Sequence, residues 1–191
     1  MSTKISSGLS FSSSYFMRNF YSENRNAAKK SGRSDYSKAE LSFEDSRALS
    51  RAAKKITSID FGTDHEEDGD ISDTAKASIE AFVETYNNTM DTAKSSGHAD
   101  TGRYLKQLKR LTGKYADELE DIGISIESDG KLSINDELLK TADNSKARKL
   151  LSGDSDFAKK TLTIAKKMNS AIRDDLFSQA SSQKLHINIT L

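Results

Sequence analysis

The chain has 191 residues, and its 29 Lys+Arg balance 29 Asp+Glu, so the formal net charge is zero. That balance argues against nucleic acid as a partner, because such proteins usually carry a basic excess. Cysteine is absent, which excludes disulfides, thiolate metal sites and cysteine nucleophiles together, and no apolar run approaches the roughly 20 residues of a membrane span.

Hydrophobic residues make up 35% and charged residues 30% of the chain. That suits one domain with a modest helical core. Proline is absent too, as suits long helices. The charge is unevenly spread: residues 1–60 hold eleven Lys/Arg against six Asp/Glu.

Residues 1–34 are rich in serine and dotted with Leu9, Phe11, Phe16 and Phe20. Serine competes for backbone hydrogen bonds and opposes a helix here. The expectation is a flexible arm, with two readings left open: one that orders on a partner, and a disordered tail with no role. No N-terminal stretch has the apolar core of a secretory signal peptide.

A helical rod is expected over residues 35–178. Its first helix spans 35–59, where Leu41, Ala48, Leu49, Ala52, Ile56 and Ile59 recur at helical steps. An acidic loop, 60–73, follows with seven acids and no Lys/Arg. Asp64, Glu66, Asp68 and Asp70 fall at positions 1, 3, 5 and 7 of a calcium loop. Position 12, which needs a bidentate acid, is Ala75. These four are the only calcium candidates, and without the closing ligand the run reads as a solvated acidic loop favouring the next helix start.

The cleanest amphipathic helix is 74–94, with Ala75, Ile79, Phe82, Val83, Tyr86, Met90 and Ala93 on one stripe and Ser72 or Asp73 as its cap. A second long helix is expected from Asp100 to Glu120, on Tyr104, Leu108, Leu111, Tyr115 and Leu119. Gly113 weakens its centre and marks a close contact or a bend. The tyrosines Tyr86, Tyr104 and Tyr115 read as core.

Residues 122–135 read as a β-hairpin. Ile124 and Ile126 alternate with polar residues, as do Leu132 and Ile134, and Asp129-Gly130 is a strong turn signal. An isolated hairpin is marginal in water, so its apolar face should pack on helix ends. Asn135 or Ser133 then caps a helix to Ala142, a second piece runs from Lys146 to Leu151, and a third long helix runs from Ser155 to about Phe177. Residues 179–191 form a C-terminal tail, with an alternating, strand-like run at Leu185–Leu191.

The histidines, His65, His98 and His186, fall in expected loops or the tail, and none pairs at zinc-helix spacing. There is no Gly-rich phosphate loop and no Gly-x-Ser-x-Gly. The residues therefore assign no catalytic, cofactor-binding or metal site, and no cofactor. Lys159-Lys160 and Lys166-Lys167 lie about two turns apart on one helix; they read first as a solvated face, second as a basic stripe for an acidic partner.

Residues 79–164 resemble the C-terminal helical region of the flagellar hook-associated protein 2 (filament cap) family. The segments that carry the likeness are Phe82-Val83-Glu84-Thr85-Tyr86-Asn87, Leu119-Glu120-Asp121-Ile122-Gly123-Ile124, Asp129-Gly130-Lys131-Leu132-Ser133-Ile134-Asn135 and Leu150-Leu151-Ser152-Gly153. Their order and spacing are more specific than any one piece. The first 70 residues do not match, and the large inserted domains and coiled-coil ends of that family have no counterpart. The resemblance implies a non-enzymatic flagellar structural or assembly protein, of bacterial origin, located in the flagellum or outside the cell, acting through packing with flagellar subunits or itself. The alternative is a soluble intracellular (cytoplasmic) protein-binding module with an acidic, cation-sensing loop. The expected fold is mainly α: an elongated antiparallel bundle of three long helices with a shorter N-terminal helix and one hairpin between long helices.

Overall fold

A computed structural model describes residues 37–59, 61, 71–95 and 99–183. The arm 1–34, the acidic run 62–70 and the strand-like end 185–191 lie outside the described residues.

The described chain is mainly helical, with one two-stranded antiparallel hairpin between helices. Helix α1 (Lys38–Ile56) starts at a capping box. The Glu40 N–H donates to Ser37 Oγ at 3.2 Å, and the Ser37 N–H donates to Glu40 Oε2 at 2.8 Å, so two otherwise orphaned donors are satisfied reciprocally. Helix α2 (Asp73–Ser95) takes Ser72 as its cap, with the Ala75 N–H donating to Ser72 Oγ at 3.2 Å.

Helix α3 (Ala99–Lys114) ends where a continuous helix to Glu120 was expected, and a short α4 (Ala116–Glu120) follows. The break is at Tyr115, whose φ/ψ of −111°/28° leaves the helical region. Its ring packs edge-on against Phe157 at 5.4 Å. Just upstream, the Thr112 hydroxyl bonds back to the Leu108 and Lys109 carbonyls, a pattern that bends helices. Gly113 marks no close contact: a Cβ there would meet nothing within 4 Å.

Strands β1 (Ile124–Ile126) and β2 (Leu132–Ile134) pair with Ile124 opposite Ile134 and Ile126 opposite Leu132. The Gly130 N–H donates to the Glu127 carbonyl at 2.8 Å, and Gly130 has φ +86°. That is a three-residue connection with glycine in the left-handed position, not a two-residue Asp-Gly turn. Asn135 caps α5 (Asp136–Lys140), and Asp143 caps α6 (Asn144–Leu151). Ser155 caps α7 (Asp156–Gln183) through the Phe157 N–H. Helix α7 continues past Phe177 into the expected tail.

The long helices alternate in direction. Thr89 Oγ1 of α2 donates to the Asp45 carbonyl of α1 at 3.1 Å, and Asn169 of α7 reaches the Phe43 carbonyl at 3.0 Å. Phe157, at the start of α7, meets Tyr115 at the end of α3. Helix α1 therefore sits between α2 and α7, with α3 closing the other side. At 19 residues α1 is shorter than α2 at 23 and α7 at 28, but longer than α3 at 16. The core runs through Leu49, Ile56, Ile79, Phe82, Tyr86, Met90, Leu108 and Met168. Phe157 also packs on Phe82, with ring centroids 6.3 Å apart, an edge-to-face arrangement favoured by ring quadrupoles.

The hairpin packs along the flank of α2, not on helix ends. Ile124 and Leu132 are buried, while Ile126 and Ile134 are half-buried against the core. The physical reason is the outer edge of β2, whose backbone groups need partners. The Asn87 side chain of α2 supplies them: its amide N–H donates to the Leu132 carbonyl at 2.7 Å, and its Oδ1 accepts from the Leu132 N–H at 2.8 Å. Ion pairs tie down both ends, Lys131 to Asp91 at 2.9 Å and Lys76 to Asp136 at 3.5 Å.

Candidate docking groove

The calcium candidates Asp64, Glu66, Asp68 and Asp70 lie outside the described residues, as do all three histidines. The residues flanking the acidic run are anchored. Phe61 and Ile71 are buried, and the Phe61 carbonyl accepts from Asn144 Nδ2. Ala75, at the twelfth loop position, is buried within α2. Among the described residues no group of three His, Cys, Asp or Glu could hold a metal. At the hairpin turn, Asp129 Oδ1 accepts from the Lys131 N–H at 2.9 Å, which holds its carboxyl below the usual range. That carboxylate stabilises the turn.

Among the described residues, one concave feature with binding character lies between α3 and α7. It is a groove of about 510 Å³. On α3, Arg110, Leu111 and Lys114 face it; on α7, Lys160, Ile164 and Lys167 do. Steps of three, four and seven residues put each set on one helix face. Leu111 and Ile164 make an apolar floor, and four cations rim the two walls.

The rim is electrostatically uneven. Lys160 Nζ pairs with Asp156 Oδ2 at 2.8 Å; the hydrogen bond raises the lysine pKa and lowers the aspartate's. Arg110, Lys114 and Lys167 have no described carboxylate at ion-pair distance. Lys114 instead sits 5.1 Å from the Tyr115 ring centroid, a cation–π contact.

Of the two lysine pairs on α7, one member each, Lys160 and Lys167, turns into the groove. Lys159 bonds the Asp154 carbonyl at 3.0 Å. Sequence reasoning missed Arg110 and Lys114 as rim residues, because the two walls are about fifty positions apart in the chain; their i, i+4 spacing was the only available signal. Tyr86 and Tyr104 are buried, and Tyr115 is half-buried against the core. Burial raises the Tyr86 pKa, partly offset by the hydrogen bond to Thr112. The groove offers shape, apolar contact and positive charge, which is chemistry for binding.

No family model, no curated protein and no solved structure matches the chain.

Proposed function

We propose that the chain is a non-enzymatic structural or assembly protein of the flagellar type, similar to the filament cap, that works by packing its helices against partner subunits. One convergence carries this reading: three of the four segments that resemble the cap family meet in space and hold one another. Tyr86 and Asn87, from the first segment, bond the Gly130 carbonyl at 3.3 Å and Leu132 at both backbone groups. Gly123, from the second, has φ +78°, and its carbonyl accepts from the Asn135 N–H at 2.8 Å. A Cβ on Gly153, from the last, would lie 2.8 Å from the Thr57 carbonyl oxygen. Tyr86, Asn87, Gly123, Gly130, Leu132 and Asn135 thus share one joint, while Gly153 packs against the end of α1, which lies outside the resembling segments.

The proposal places the chain on the flagellum or outside the cell, with flagellar subunits or further copies as partners. It is tested by co-purification with flagellar filaments or the export apparatus; a cytosolic protein in cells without flagella contradicts it. The alternative, an intracellular binding module, is compatible with the basic-rimmed groove, which fits a soluble partner equally well.

A further inference from the structure

We propose that the groove between α3 and α7 is the docking site for an acidic amphipathic helix of a separate protein. The inference rests on the assembly role proposed above and names its surface and the chemistry of its partner. A helix laid between α3 and α7 presents an apolar stripe to Leu111 and Ile164. Its flanking carboxylates then face Arg110 and Lys114 on one wall and Lys160 and Lys167 on the other. The positions to be matched lie four and seven residues apart, roughly 6 and 10 Å along a helix axis. A ligand helix carrying acids at the same intervals meets them.

The basic character of the groove is local. The whole chain is neutral, with 29 cations against 29 carboxylates. Two segments of the chain itself fail as occupants on composition. Residues 62–70 supply acids but no apolar side chain for the floor. Residues 1–34 supply aromatic and aliphatic side chains but only one Glu against six Lys/Arg, so they lack the carboxylates that the rim calls for. Apolar and acidic character must come together, and neither segment combines them.

The test uses the full chain and a fluorescent synthetic helix of about 20 residues, long enough to hold helical structure, with a leucine stripe flanked by glutamates. Comparison peptides carry the same residues scrambled, lysine in place of glutamate, or the chain's own residues 62–70. Anisotropy titration should show the striped acidic helix binding at least about tenfold tighter than every comparison. The Arg110→Glu/Lys167→Glu double variant should lose at least about tenfold in affinity with an unchanged circular dichroism spectrum and melting curve. Ile164→Ser should weaken the striped helix while leaving the scrambled one unchanged. Equal binding of the scrambled peptide would reduce the groove to a cationic patch and overturn the proposal. So would equal binding of the 62–70 peptide, indifference to charge reversal, or no binding up to about 1 mM. The titration involves no flagellar component, so its failure and a negative co-purification are separate results.

Discussion

Asn87 and Leu132, on a helix and a strand 45 positions apart, exchange two hydrogen bonds of 2.7 and 2.8 Å. The Asn87 amide acts as a one-residue substitute for a neighbouring strand. It satisfies the edge of β2 that faces α2, and so lets a hairpin too small to stand alone become part of the core.

Replacing Asn87 by alanine leaves the Leu132 N–H and carbonyl without partners against the flank of α2. The expected cost is about 2–4 kcal/mol, from two unsatisfied backbone groups. Asn87→Asp keeps the acceptor, loses the donor, and turns a carboxylate oxygen toward the Leu132 carbonyl, so it should also destabilise. Urea unfolding of the two variants measures this; a change below about 0.5 kcal/mol for both would mean that water replaces the amide without loss.

Glycine positions give an ordered series. Gly123 combines φ +78° with backbone 2.7 Å from the place of a Cβ, at the Leu139 nitrogen. Gly123→Ala should cost about 3 kcal/mol or more, from left-handed strain plus displacement of α5. Gly113→Ala should stabilise by about 0.5–1 kcal/mol, since a helical Cβ there meets open space. Thermal melts of both variants should move in opposite directions; a shared direction would contradict the local geometry.

The side-chain oxygens of Ser42 and Thr161 are buried without a partner among the described residues. Thr161→Val keeps the shape and removes the orphaned hydroxyl. It should be neutral or stabilising by up to about 1 kcal/mol. A loss of more than about 1 kcal/mol in denaturant titration would show that the hydroxyl has a partner, such as buried water.

Burial raises the Tyr86 phenol above its ordinary value of 10.0. Above that pH the unfolded chain gives up the proton more readily than the folded one. Stability should therefore be intact below about pH 10 and fall as pH rises toward the folded-state value. Tyr86→Phe should lessen that alkaline loss, while costing about 1 kcal/mol at neutral pH through the hydroxyl's contacts with Thr112 and Gly130. Stability curves from pH 8 to 12 compare the two; parallel curves would remove Tyr86 as the source.

Much of this fold was legible in the residues, for local reasons. Ile79, Phe82, Tyr86 and Met90 form a stripe that only a helix brings to one side, and all are buried. The alternation at Ile124, Ile126, Leu132 and Ile134 marked the two strands, but the three-residue connection that sets their register was not legible. The break at Tyr115 was hidden, because Leu119 and Ile122 continue the helical spacing across it, while the ring that Tyr115 packs against, Phe157, is distant in the chain. The seat of the hairpin was hidden because Asn87 looks like any polar residue beside an apolar stripe. The groove was half visible: Lys160 and Lys167 stood out as part of a basic stripe, but the opposing wall depends on how α3 and α7 meet. The acidic run that suggested calcium lies outside the described residues and keeps its reading from sequence alone.

The central proposal, a flagellar-type assembly protein, is tested most directly by shearing filaments from cells that express the chain and quantifying it in filament, secreted and cytosolic fractions. Enrichment in the filament fraction, reduced by Asn87→Ala at equal expression, is the predicted result. A chain found wholly in the cytosol, with filaments of normal composition and length after its deletion, would contradict it.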